Sequence, residues 1–118
     1  MRALLLILAL SAPLVHATTI DTCVHQEKEM RALKLCVEAE RNRAANHLRE
    51  ANQLTLTAVN QKTKTDGRKT TLREFRSSQA RHVRTRAAQC RQPIDVNRIG
   101  CEADADFGQI ERLKQLAN

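Results

Sequence analysis

The apolar residues of this chain follow a helical spacing through most of its first half. From Val24 to about Gln61 there is no proline or glycine, and Ala, Leu, Glu, Arg and Lys dominate. Apolar or small side chains recur about every 3.6 residues, which is the period of an amphipathic helix. These positions are Met30, Leu33, Val37, Ala44, Leu48, Ala51, Thr55 and Ala58. The pattern predicts one long helix over residues 24–61.

A second helix is predicted after the segment KTKTDGRKTT. Asp66-Gly67 is a turn signal, and Thr70 or Thr71 can cap the helix that follows. This helix is predicted over residues 71–92 and is ended by Pro93. Its inward-facing candidates are Leu72, Phe75, Gln79, His82 or Val83, Arg86 and Cys90.

The remainder of the chain predicts a loop and a third, shorter helix. The segment PIDVNRIG is expected to be a loop closed by Gly100. A helix over about 102–116 then places Ala103, Phe107, Ile110 and Leu113 on one side. The predicted fold is therefore all-α: a long antiparallel helical hairpin with a short C-terminal third helix.

The first 17 residues have the layout of a secretory signal peptide. Arg2 precedes an apolar run from Ala3 to Leu10, which is too short to span a bilayer. We expect cleavage after Ala17 and a single domain over residues 18–118. The mature protein is expected in the periplasm or secreted, without a transmembrane segment.

The charge of the mature chain limits the classes of partner. After cleavage, 19 basic and 13 acidic residues leave a net charge of +6. In an exported protein the available anions are envelope polymers, lipid headgroups and acidic protein surfaces. Nucleic-acid binding is not predicted, because the chain has no Trp or Tyr and its only aromatic residues are Phe75 and Phe107.

Four cysteines in a short exported chain predict two disulfides, with three alternative pairings. In a continuous helix Cys23 and Cys36 would lie about 20 Å apart, so a bond between them would break the first helix. Pairs Cys36–Cys90 and Cys23–Cys101 are each centred near the predicted turn, so these nested bonds are expected. The histidines lack metal-site spacing relative to the cysteines, so neither zinc nor another cofactor is predicted.

No catalytic constellation is found, and a non-enzymatic protein is predicted. The serines of the mature chain, Ser77 and Ser78, lack a Gly-x-Ser-x-Gly motif. Acidic residues at the start of a helix usually serve the helix dipole and solvation. The remaining candidates for binding are this acidic group and the arginines of the second helix. They are Glu102, Asp104, Asp106, Arg81 and Arg84.

The four-cysteine layout and the stretch SQARHVRTRAAQC resemble the LprI-type lysozyme inhibitor family over residues 23–116. Gln79, Arg86 and Cys90 match the family motif in register, whereas His82 stands where the family usually has Trp. The resemblance implies a helical binding protein that blocks a lysozyme-type muramidase sterically, with Gln79, His82 and Arg86 as motif residues. Arg86 shares a helical face with Gln79, His82 and Cys90 and is expected to turn inward and bond the first helix or its backbone. Arg81, Arg84 and Arg91 are expected to face solvent.

Two alternatives to inhibition are open. Lysozymes of the animal type are basic and would repel a protein of this charge at long range, so inhibition would need a local acidic contact. A basic envelope-binding or structural helical module without inhibitory activity is therefore the first alternative. The second is a small protein of the mitochondrial intermembrane space, which also carries cysteine pairs on a helical hairpin but lacks a secretory signal.

Overall fold

The helices begin and end within a few residues of where periodicity and turn signals place them, with two exceptions described below. The computed structural model of the chain describes residues 17–62 and 67–117. In these parts of the chain there are four helices: α1 (Thr19–Gln26), α2 (Met30–Gln61), α3 (Arg68–Gln89) and α4 (Asp95–Ala117). The all-α prediction is confirmed. The predicted signal peptide lies, apart from Ala17, outside the described residues.

The first exception is a break that separates α1 from α2. Thr18 caps α1 by accepting a hydrogen bond from the backbone N–H of Asp21, whose carboxylate in turn faces the N–H of Thr18. After Gln26 the backbone becomes extended, and helix resumes at Met30. The single helix predicted over 24–61 is therefore wrong at its beginning. Nothing in the composition of residues 27–29 forbids a helix, so tertiary contacts impose the break.

Those contacts include the disulfides, and the nested pairing is wrong. The structure joins Cys23 to Cys36 and Cys90 to Cys101, with Cα atoms 5.8 and 5.5 Å apart. The break lets α1 fold back on α2, which brings Cys23 and Cys36 within bonding distance and buries Cys23 completely. Cys36–Cys90 and Cys23–Cys101 are excluded, because each cysteine already has a partner close in sequence.

The second exception is the start of α4. The segment predicted as a loop is largely helical, because α4 begins at Asp95 and runs for 23 residues, one more than α3. Asp95 lies in the first turn, where a carboxylate complements the helix dipole, and it pairs with Arg98 at 2.8 Å. The third helix is therefore not short. Gly67 is the N-cap residue of α3, and its φ of 77° is readily adopted by glycine.

The most extensive helix packing joins α2 and α4, not α2 and α3. Lys34 lies 3.9 Å from Asp95, and the guanidinium of Arg43 lies 5.0 Å above the ring of Phe107. Residue numbers thus rise together along α2 and α4. Along α3 and α4 they run in opposite directions, since Arg86 pairs with Glu102 and Ser78 with Gln109.

The apolar core is concentrated where α1, α2 and α4 meet. Cys23, Val37 and Ile99 form its buried centre, and further apolar side chains pack around them: Ile20, Leu33, Cys36 and Val96. Both disulfides lie at this end of the molecule, which we call the stapled end. At the opposite end Val59, Phe75 and Leu113 are buried without a disulfide among the described residues. None of the four described helices is long and apolar enough to cross a membrane.

Gly100 allows α1 to approach α4. A Cβ atom at residue 100 would lie 2.6 Å from Cγ1 of Ile20 and 3.7 Å from Cγ1 of Val37. The first distance is far shorter than a carbon–carbon contact, and the Ile20 side chain is itself packed in the core. The glycine that suggested a loop is therefore a close-packing position within a helix.

We expect Gly100→Ala to lower the free energy of unfolding by about 1–3 kcal/mol, because the added methyl group must displace Ile20 or α1. Thermal unfolding of the oxidised protein, followed by circular dichroism, measures the change. Gly108→Ala is the matched control on the same helix. Its Cβ would meet only the Arg112 guanidinium at 3.8 Å, so this variant should be stabilised by about 0.5–1 kcal/mol. Equal stability of both variants would contradict the proposed close approach.

Candidate functional site

The net positive charge of residues 18–118 resides on one helix, α3. Seven basic residues and one acidic residue, Glu74, lie in α3, which gives this helix a net charge of +6. The other residues from 18 to 118 contain twelve basic and twelve acidic side chains and are therefore neutral in sum. The field of the protein toward an anionic partner thus originates at α3.

Most of these cations face outward. Phe75 and His82 are the buried residues of α3, and the exposed part of the helix surface, up to the edge that meets α4, carries basic residues. We call this part the basic surface: Lys69, Arg73, Arg76, Arg81 and Arg84. Among residues 17–62 and 67–117, none of these five forms an ion pair. The sequence prediction that Arg81 and Arg84 face solvent agrees with this position.

Repulsion between the like charges of the basic surface destabilises α3. Lys69 and Arg73 are four residues apart, and Arg73 and Arg76 are three apart, so like charges are neighbours on the helix surface. Each such pair destabilises a helix by about 0.2–0.5 kcal/mol. The first turn of α3 contains no acidic residue, so its basic residues also oppose the helix dipole. An anionic ligand would remove both penalties.

Arg43 on α2 differs from the arginines of the basic surface because it has partners within the protein. Arg43 donates to both carboxylate oxygens of Glu40, at 2.6 and 3.3 Å, and stacks over Phe107. The hydrogen bond to Glu40 raises the pKa of Arg43 above its already high ordinary value. Arg43 is thus satisfied within the protein, whereas the basic surface lacks such partners in the described chain.

The inward face of α3 carries a buried polar cluster that joins it to α4. Nε2 of His82 lies 2.8 Å from Oδ1 of Asp106, and both side chains are almost fully buried. Arg86 places Nε 3.1 Å from Oδ1 of Asp106 and donates from a terminal nitrogen to Oδ2 at 3.3 Å. Although Nε is close to the carboxylate, its angle is poor for a hydrogen bond, so this contact is mainly electrostatic. We call these residues, with Glu102, the Asp106 cluster.

The predicted acidic group is therefore used inside the protein. Glu102 lies 3.3 Å from Arg86 and 3.7 Å from Arg98. Asp104 accepts hydrogen bonds from the backbone N–H and the hydroxyl of Thr19, at 2.9 and 2.6 Å. Asp106 is only 4% exposed. These carboxylates do not form an open acidic surface, and the structure does not bring them together with Arg81 and Arg84.

The predicted motif residues Gln79, His82 and Arg86 differ in burial and in their partners. His82 is buried in the Asp106 cluster, and Gln79 is half-buried on the same side of α3. Arg86 turns inward, but its partners are on α4, so the expectation that it bonds the first helix is wrong. The reason is the packing order, because α4 covers the inward face of α3 at this position.

Sequence reasoning missed a groove between α3 and α4 near the unstapled end. Its volume is about 430 Å³, and it is lined by Arg73, Glu74, Ser77, Ser78, Arg81, Arg112, Gln115 and Leu116. Gln109 lies beneath it, 1% exposed. The spacing of residues along α4 could have indicated the groove. The buried row of this helix includes Ala103, Asp106, Gln109 and Leu113, whereas the predicted inward row contained Phe107 and Ile110 in place of Asp106 and Gln109.

Comparisons of the chain with protein-family models, curated proteins and solved structures found no match. The resemblance to LprI-type inhibitors therefore stays a prediction.

We expect Asp106→Ala to destabilise the fold by about 3 kcal/mol, because it leaves His82 and the inner part of Arg86 without their buried partner. A loss of this size should lower the unfolding temperature by roughly 10–20 °C for a domain of about 100 residues. The control is Glu111→Ala on the same helix. Glu111 is 70% exposed and pairs only with Lys114, so its removal should change stability by less than about 0.5 kcal/mol. Similar losses in the two variants would show that the Asp106 cluster does not anchor α3.

Proposed function

We propose that this protein is an exported, non-enzymatic binding protein that attaches to anionic lipid surfaces of the cell envelope through the basic surface of α3. The observation that carries the proposal is the concentration of the whole net charge on one helix, with five exposed cations free of ion pairs in the described chain. Its site of action would be the periplasm or the exterior of the cell, as the predicted signal peptide indicates.

The physical basis is electrostatic attraction between the basic surface and lipid headgroups. Lys and Arg side chains near an anionic membrane contribute about 1 kcal/mol each, and the attraction falls off within a Debye length. Five such residues supply enough free energy for reversible attachment without insertion of apolar groups. Relief of the repulsion within α3 adds to the attraction.

A lipid surface is favoured over nucleic acid by the chemistry of the exposed face. Base stacking needs exposed aromatic rings, but Phe75 is buried and Phe107 lies on α4 under Arg43. Without rings on the basic surface, recognition depends on charge and geometry. A charged membrane offers a dense two-dimensional array of anions that suits a cationic helix.

Inhibition of a lysozyme-type muramidase is the second candidate. It is supported by the match of Gln79, Arg86 and Cys90 to the family motif. Because Glu102, Asp104 and Asp106 are engaged inside the protein, inhibition would have to use another surface. The basic surface itself would repel a basic lysozyme.

We expect the oxidised protein to co-sediment with vesicles that contain anionic phospholipid, and to lose at least tenfold in partitioning between about 0.05 and 0.5 M salt. The double variant Arg76→Gln/Arg84→Gln should weaken partitioning roughly thirtyfold, at about 1 kcal/mol for each charge. Arg31→Gln/Arg49→Gln, on α2, removes the same charge elsewhere and serves as the matched control. Equal loss in both double variants would show that net charge alone matters and would contradict a site on α3.

A lysozyme inhibition assay with the same purified protein distinguishes the second candidate function from the first. We expect no protection of cell walls against lysozyme in a turbidity assay at tens of micromolar inhibitor, because like charges oppose the complex. Both an animal-type and a bacterial lysozyme should be used. Protection that persists in Arg76→Gln/Arg84→Gln would favour inhibition over membrane attachment as the function.

A further inference from the structure

We propose that the groove between α3 and α4 binds the phosphomonoester group of a lipid headgroup. The inference deepens the proposed function and rests on it for the choice of a lipid as the ligand. The groove is the place where the basic surface meets α4, so a headgroup that approaches α3 reaches it directly.

Three arginines are among the residues that line the groove. Arg73, Ser77 and Arg81 follow one another at intervals of four residues along α3, so they lie in one row facing the groove. Arg112 lines it from α4. Arginine presents a planar set of N–H donors that matches phosphate oxygens, often in pairs of hydrogen bonds. Three of them around one groove favour a doubly charged phosphate over a singly charged one.

Arg112 is held in place by a buried amide. Its Nε donates to Oε1 of Gln109 at 2.9 Å, and Nε2 of Gln109 donates to Oγ of Ser78 at 3.0 Å. Because Gln109 binds only the Nε of Arg112, the two terminal nitrogens of this guanidinium can bind a ligand. Ser78 accepts from Gln109, so its own hydroxyl hydrogen is free to donate toward the groove.

The position of Gln109 supports a positioning role. It lies in the buried row of α4, between Asp106 and Leu113, where an apolar residue would pack without a desolvation penalty. A buried amide there satisfies its polar ends only by orienting Ser78 and Arg112. Glu74 is the one carboxylate on the groove, so the lining keeps a net charge of +2.

A second groove on the same pair of helices lacks these properties. It is lined by Arg86, Arg91, Arg98 and Glu102, among others, and has a volume of about 490 Å³. Arg86 and Arg98 are already paired with Glu102, and each has a further aspartate partner. The guanidiniums of the first groove, in contrast, form no ion pair among the described residues.

The experiment compares a phosphomonoester with a phosphodiester at equal surface charge. Vesicles containing phosphatidic acid and vesicles containing phosphatidylglycerol are matched by zeta potential, and partitioning of the oxidised protein is measured for both. Inorganic phosphate is titrated separately by NMR against ¹⁵N-labelled protein. We expect tighter partitioning to phosphatidic acid, competition by inorganic phosphate, and shifts of the Arg73, Ser78 and Arg112 signals.

Arg112→Gln should lose about tenfold in affinity for phosphatidic acid while partitioning to phosphatidylglycerol changes little. Gln109→Leu keeps every charge and should still reduce the preference for phosphatidic acid, because Arg112 is no longer oriented. Lys114→Gln, an exposed residue of the same helix, is the charge control. Arg81→Gln, on the surface of α3, provides an independent variant if a change on α4 impairs folding.

The outcomes distinguish the two proposals. Equal partitioning to both lipids would overturn the phosphomonoester site but leave attachment by the basic surface intact. No partitioning to either lipid would overturn both. A loss of phosphatidic acid preference in Lys114→Gln equal to that in Arg112→Gln would also overturn the site, because it would reduce the effect to net charge.

Discussion

The carboxylate of Asp106 is the contact on which the arrangement of α3 depends. A helix with a net charge of +6 gains little by burying a face against another helix unless that face offers its own counter-charge. Asp106 supplies this charge from α4, where it meets His82 and Arg86 at distances of 2.8 to 3.3 Å. Glu102 extends the contact, and the Cys90–Cys101 bond holds the end of α3 beside it. Because the inward arginine is neutralised in this way, the five cations of the basic surface can face outward.

The arginines of this chain therefore fall into groups defined by their partners and not by their place in the sequence. Arg86 is bound to buried acids, Arg43 is satisfied by Glu40, and Arg112 is oriented by an amide that leaves its outer nitrogens available. Arg84, only two residues from Arg86, faces solvent, since successive residues of a helix are rotated by about 100°. The net charge of the chain alone does not reveal which arginines have internal partners. The capacity to bind an anion depends on which arginines lack an internal partner.

The sequence predicted the helical class, the approximate course of α2 and α3, and the inward positions of Phe75 and His82. It failed where a tertiary contact overrides a local rule. Helix continuity argues against a bond between Cys23 and Cys36, yet burial of Cys23 and Ile20 against α2 and α4 compensates for the break in the helix. The turn signals place Gly100 in a loop, although its missing side chain is what lets α1 pack on α4. Asp106 and Gln109 have the spacing of core residues along α4, but a polar side chain is not expected in the core. Their burial is explained only by their partners on α3, which the sequence does not reveal.

The two ends of the molecule are stabilised by different means, and this difference bears on ligand binding. Both disulfides and the apolar cluster lie at the stapled end, and each bond closes a short segment worth about 3 kcal/mol in the chain-entropy model. The opposite end combines the repelling cations of early α3 with the groove that contains Arg73 and Arg112. An anion bound there would stabilise only the packed arrangement of α3 on α4, since the unfolded chain does not hold the guanidiniums together. Binding and folding are thus linked at the unstapled end, and the stabilisation grows with ligand concentration relative to the dissociation constant. The stapled end fixes the fold independently of any ligand, which leaves the other end free to respond to one.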